Sequence, residues 1–98
     1  MPEDLEARFW ALAEAQAAGF GFADNCEAMM RQFIAQGVQK LISEGSAGNE
    51  FKVHQAEANL SRFIDAMTYT AVRLHLDQLH EQTFGAAITS LCPLWPFC

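Results

Sequence analysis

Between Asn49 and Phe84 the chain contains neither proline nor glycine. A run of that length, opened by an asparagine able to cap and by the acidic Glu50, predicts a long α-helix around which a short chain must arrange everything else. The expectation is one helix over residues 49–91, with Gly85 either a kink or a smooth continuation.

Projected at about 100° per residue, Leu60, Ile64, Met67, Ala71 and Leu74 form one apolar stripe, with Phe63 on its edge. A second stripe of Val72, Leu76, Leu79 and Thr83 begins where the first ends, more than about 90° round the helix. In the overlap the helix is apolar on two sides, so both sides need cover. The shorter helices can cover one. The other needs the C-terminal tail or a second copy of the chain. Val72, Leu76 and Leu79 are therefore the expected interface of a homodimer. Left in water they would forgo about 1.5–3 kcal/mol each. A lone chain of 98 residues buries only about 60–70% of its unfolded surface, which makes that loss serious.

Two shorter helices precede the long one. The first is expected over residues 2–18, with Pro2 in its first turn, Glu3, Asp4 and Glu6 opposing the dipole, and Gly19 as its C-terminal cap. Leu5, Phe9 and Leu12 line one face, with Trp10 beside them. Phe20-Gly21-Phe22 reads as a joint whose two rings plug the end of a bundle. The second helix is expected over residues 24–44, opened by an Asp24-x-x-Glu27 capping box and closed by Gly45. Its Gly37 falls on the inner side, where glycine costs about 1 kcal/mol relative to alanine unless a close crossing against the long helix compensates. The predicted class is thus all-α: a single domain of residues 1–98, a two-helix hairpin packed on a long third helix and completed by homodimerisation.

The tail over residues 92–98 breaks the pattern. Pro93 and Pro96 exclude a helix, and Leu94, Trp95 and Phe97 put three large apolar side chains into a short strap. Exposed, such a strap is a liability, so it is expected in a groove on this subunit, on a sister subunit or on a partner. These three residues complete the expected interface.

Reactive constellations are few. His54 with Glu57, and Asp77 with His80, each place an imidazole and a carboxylate three residues apart on a helix. Metal-binding carboxylate bundles use an acid–His pair at that spacing, so these four residues are the candidate ligands of an alternative reading as a metal- or cofactor-binding bundle. The first pair has the order reversed, the second has Asp where Glu is usual, and no inward acid from the shorter helices completes either set. Metal and cofactor are accordingly not expected. His75, nearer the apolar side, is expected as a core or interface histidine. Cys26 should sit in the first turn of the second helix, where the dipole could lower a thiol pKa, but a nucleophile there needs a basic partner, and His54 or His75 could serve only if the fold brings one close. Cys92 and Cys98 lack zinc-knuckle spacing. No phosphate-binding loop, dinucleotide fingerprint, nucleophile elbow or zinc-protease motif occurs.

Charge narrows the partners. Six Lys and Arg against twelve Asp and Glu give a net charge of −6, with the basic residues scattered singly, which disfavours nucleic acid. Only 18% of residues are charged and 51% are hydrophobic, leaving little to solvate an isolated surface. No apolar run reaches the roughly 18 residues of a membrane span. The opening Met-Pro-Glu-Asp is acidic where a secretory leader is basic, so a cytoplasmic location is expected. The functional expectation is a non-enzymatic protein–protein interaction module: an adaptor, regulator or inhibitor acting as a helical homo-oligomer.

Overall fold

The computed structural model describes residues 4–20 and 22–91. Among these every regular element is helical: α1 (Leu5–Gln16), a 3-10 turn (Ala18–Phe20), α2 (Phe22–Asn25), α3 (Glu27–Ser43), α4 (Glu50–Arg73) and α5 (Glu81–Leu91). The all-α class holds, but the helices are divided differently from the sequence expectation.

The Asp4 side chain starts α1 by accepting the backbone N–H groups of Glu6 at 3.0 Å and Ala7 at 3.3 Å, so the helix begins at Leu5 rather than at residue 2. It ends at Ala17, two residues before the expected Gly19. The second helix is split. Asp24 falls inside the short α2 instead of capping, and α3 starts after Cys26, which makes no side-chain capping bond. The jog lets Phe22 and Cys26 both turn inward, each 1% exposed. Phe22 packs on Trp10 with ring centroids 5.7 Å apart, the plug expected of this joint.

The end of α3 is closed by Gly45 at φ +72°, with Ser46 N–H donating to Leu41 O at 2.8 Å and Gly45 N–H to Ile42 O at 3.0 Å. That is a Schellman motif, with glycine at its left-handed position. Asn49 then caps α4 as predicted, accepting Lys52 N–H at 3.2 Å.

The long helix is two helices. α4 stops at Arg73, and the same Schellman pair recurs: Leu76 N–H donates to Ala71 O at 2.9 Å and His75 N–H to Val72 O at 3.1 Å. Here the left-handed position, φ +56°, is occupied by His75 and not by glycine. The physical reason is burial. In one continuous helix Leu76, Leu79 and Phe84 would point away from the core stripe. The break re-aims them, leaving Leu79 and Phe84 fully buried and Leu76 packed against the core. Three side chains at about 1.5–3 kcal/mol each outweigh the roughly 1–2 kcal/mol of one left-handed residue. Of the second stripe, Leu79 is therefore buried in this chain's own core and Leu76 partly so, whereas Val72 stays exposed.

The break also locks the bundle. Leu79 N–H donates to Phe20 O at 2.6 Å, Cys26 Sγ donates to Leu79 O at 3.6 Å, and Asn25 Nδ2 donates to Gln78 Oε1 at 2.9 Å. Residues 76–80 thus cross the joint between α1 and α3. Phe84 of α5 then meets Phe33 and Phe63 edge-on at 6.0 and 5.7 Å, while those two rings stack at 4.5 Å. Three helices share this aromatic centre.

α1 lies closest to α4 and α3, and α5 packs on α4. Gly37 is buried on α3, but the helix that α3 approaches closely is α1; α3 meets α4 through the phenylalanine rings. Polar links between α1 and α4 show their direction. Arg8 forks onto Glu57 (Nε to Oε2 3.0 Å, Nη2 to Oε1 2.8 Å), and further along Gln16 Nε2 donates to Asp65 Oδ1 at 2.6 Å and Ser61 O at 2.8 Å. Sequence position rises together on both helices, so they run parallel.

Candidate functional site

α5 packs on α4, and the two line an open groove of about 680 Å³. Its walls repeat at helical spacing. Asp65, Ala66, Tyr69, Thr70 and Leu74 come from α4 and its C-terminal cap, and Gln82, Thr83, Ala86 and Ala87 from α5. The alanines and threonines are small, which leaves depth between the helices. Tyr69 and Leu74 form a rim and are 63% and 62% exposed. Val72, 56% exposed, stands about 60° round α4 from Tyr69 and extends the apolar area.

Two of the polar side chains at this face are engaged already. Thr70 Oγ1 donates to Ala66 O at 2.9 Å, and Asp65 accepts from Gln16. An apolar occupant would leave these two satisfied. The size lies within the roughly 300–1,000 Å³ of ordinary binding pockets.

Sequence reasoning missed this groove because it assumed one helix. Leu74, assigned to the core stripe, is the exposed C-terminal cap of α4. Tyr69 was not singled out. The only signal was the small-residue spacing, Ala66 and Thr70 against Thr83, Ala86 and Ala87, which becomes a groove only once α5 folds back. Of the expected interface, Val72 is exposed, Leu76 is half-buried on the core and Leu79 is internal. Leu94, Trp95 and Phe97 lie outside the described residues.

The acid–His pairs fare differently from each other. His54 Nδ1 is 3.1 Å from Glu57 Oε1, and its Nε2 is 3.3 Å from Glu50 Oε2. Both Glu57 oxygens are held by Arg8, and the two side chains are only 19% and 21% exposed. The Arg8 hydrogen bond, more than burial opposes it, holds the Glu57 carboxyl below the usual range, with His54 contributing less. A metal at this pair would have to displace a two-pronged ion pair that ties α1 to α4. Asp77 and His80 are both exposed in the break, so the helical spacing that suggested them as ligands does not exist there. No three His, Cys, Asp or Glu side chains among the described residues gather where a metal could be held.

His75 is exposed and serves the backbone turn, so a core role for it is corrected. Cys26 precedes α3 instead of lying in its first turn, and burial, with Glu81 nearby, pushes its thiol pKa up. That is opposite to the activation a nucleophile needs. No helix among the described residues is long and apolar enough to cross a membrane.

Comparison with family models, with curated proteins and with solved structures finds no match to this chain.

Proposed function

We propose that this chain is a non-enzymatic protein–protein interaction module whose docking face is the α4–α5 groove with its rim, and that a second copy of the chain is among its partners. The observation that carries this reading is the exposure of Tyr69, Val72 and Leu74 within six residues, beside an open apolar groove. Contiguous apolar surface of this kind on a small domain marks an interaction site more often than scattered single side chains do. The groove and its rim replace the seam of Val72, Leu76 and Leu79 that periodicity suggested.

Sedimentation equilibrium over a wide concentration range tests the self-association. Wild type is expected to associate, and the double variant Tyr69→Lys, Leu74→Lys to remain monomeric. Both positions are exposed, and a lysine near the C-terminus of α4 suits the helix dipole, so the fold should tolerate the change. Phe51→Lys, on the rim of the opposite end of α4, should associate as wild type does. A strictly monomeric wild type, or equal association of the double variant, would refute the reading.

A further inference from the structure

The segment that follows the break is held by the rest of the bundle. Leu79 N–H donates to Phe20 O at 2.6 Å, Gln78 Oε1 accepts from Asn25 Nδ2 at 2.9 Å, and the Phe84 ring stands edge-on to Phe33 and Phe63. What joins this segment to α4 is one short turn with His75 at φ +56°. We propose that His75 is a hinge through which two copies of the chain exchange residues 77–91, the α5 of each taking the seat on the α4 of the other. The partner is a second copy of this chain, and it contributes α5, one wall of the groove. This mode of association is separate from docking at the groove face and goes beyond it.

The hinge itself is the first support. A residue other than glycine in the left-handed region is disfavoured, and short turns under strain invite exchange of the element they connect. Rotating His75 to helical values lets α4 grow beyond Arg73 through Leu74 and Leu76, and no glycine or proline between Asn49 and Phe84 opposes that growth. The seat is the second support. Phe33 and Phe63 stack at 4.5 Å, Phe84 closes on both, and Leu79 and Phe84 are fully buried. An opened copy exposes both the seat and the segment that fills it. A second opened copy offers the same two surfaces, so the contacts of Leu79 and Phe84 re-form across the pair.

The surroundings of the hinge are the third. In an exchanged pair each chain crosses to the other immediately after its hinge. With so short a connection, the ends of the two α4 helices must lie side by side at the twofold axis. Val72 and Leu74 adjoin the hinge, are 56% and 62% exposed, and are the apolar side chains that this crossing covers. Exchange thus adds burial at residues that the closed chain leaves in water. Opening must unseat Leu79 and Phe84 together, so a chain that folds alone stays closed. The turn holds α5 beside its own seat at an effective concentration on the order of millimolar, so exchange competes only when copies fold together near that concentration.

Refolding of the full chain from urea, with a thiol reductant present, provides the test. It is carried out at about 1 mM and, separately, at about 1 μM protein, concentrations on either side of the intramolecular competition. Both samples are then diluted and passed through gel filtration. Expected are a dimer that persists after dilution from the concentrated sample and monomer from the dilute one. In a dimer refolded from mixed labelled and unlabelled chains, isotope-filtered NOEs from the Phe84 ring to Phe33 and Phe63 should cross between copies. His75 is exposed, so variants there fold. His75→Ala should raise the yield of dimer and His75→Gly lower it, because left-handed alanine and helical glycine are each disfavoured. Together these effects set the two association constants roughly a thousandfold apart, about thirtyfold at each of the two hinges. No persistent wild-type dimer, a persistent dimer whose Phe84 contacts stay within one copy, or a glycine variant that dimerises as readily as the alanine variant overturns the proposal. Rapidly reversible association alone would overturn the exchange and leave the docking face standing. A persistent dimer with crossing contacts, in a chain that shows no rapid association, would uphold the exchange and remove the docking function.

Discussion

His75 is the position at which the break between α4 and α5 can be tested by a change of sign. Its φ of +56° belongs to the left-handed region, its side chain is exposed, and the turn around it is made by backbone bonds from His75 and Leu76. A β-carbon in that conformation costs roughly 1–2 kcal/mol, and glycine carries no such penalty. Part of the gain is returned because glycine widens the unfolded ensemble, leaving an expected net stabilisation of about 0.5–1 kcal/mol for His75→Gly. In a domain of this size that raises the melting temperature by around 2–8 °C. His75→Ala keeps the strain and should be the less stable of the two by about 1 kcal/mol. Were residues 49–91 one continuous helix, the order would invert, because glycine in a helix interior is worse than alanine by about 1 kcal/mol. Urea denaturation of the three proteins, fitted with a common slope, decides between them. An alanine variant more stable than the glycine variant would refute the broken-helix account.

Three further outcomes follow from the same geometry. Leu79→Ala should destabilise the isolated chain by about 2–5 kcal/mol at any protein concentration, since Leu79 is fully buried in the chain's own core; a loss that vanished on dilution would return it to an interface. Because Arg8 depresses the Glu57 pKa below its unfolded value, the stability this pair contributes is complete above the unfolded glutamate range and is lost as pH falls through the folded value. Glu57→Gln should therefore lower stability at neutral pH and shrink the acid-induced loss, and an unchanged pH profile would show the fork to be inert. Cys26, buried and with a raised pKa, should be alkylated only as fast as the protein opens, so peptide mapping after brief iodoacetamide treatment at pH 7 should find it unmodified; rapid labelling would contradict its placement.

Much of the fold was legible in the residues. Asn49 announced the start of α4, Gly45 the end of α3, and the stripe from Leu60 to Ala71 is buried as its spacing required. The break at 74–80 was not legible, because its left-handed residue is histidine and no glycine or proline marks it. The amphipathic clash was visible in the sequence: two stripes more than 90° apart cannot both face one core. Two remedies exist for such a clash, a second molecule or a bend, and periodicity alone does not choose between them. The choice depends on Phe33 and Phe63 offering Phe84 a place, which is tertiary information. The groove shares that dependence, since its walls are neighbours only after the bend. His54 and Glu57 were recognisable as a pair, yet Arg8, which occupies the carboxylate, stands 49 positions from Glu57 in the chain.

The docking face itself is most directly tested by amide chemical shifts recorded over a concentration series of the full chain. The account predicts progressive changes at Ala66, Tyr69, Thr70 and Leu74 on one side and Gln82, Thr83 and Ala86 on the other, with Ile42 and Phe51 at the far end of the bundle unmoved. Changes confined to Ile42 and Phe51, or spectra that do not depend on concentration at all, would contradict it.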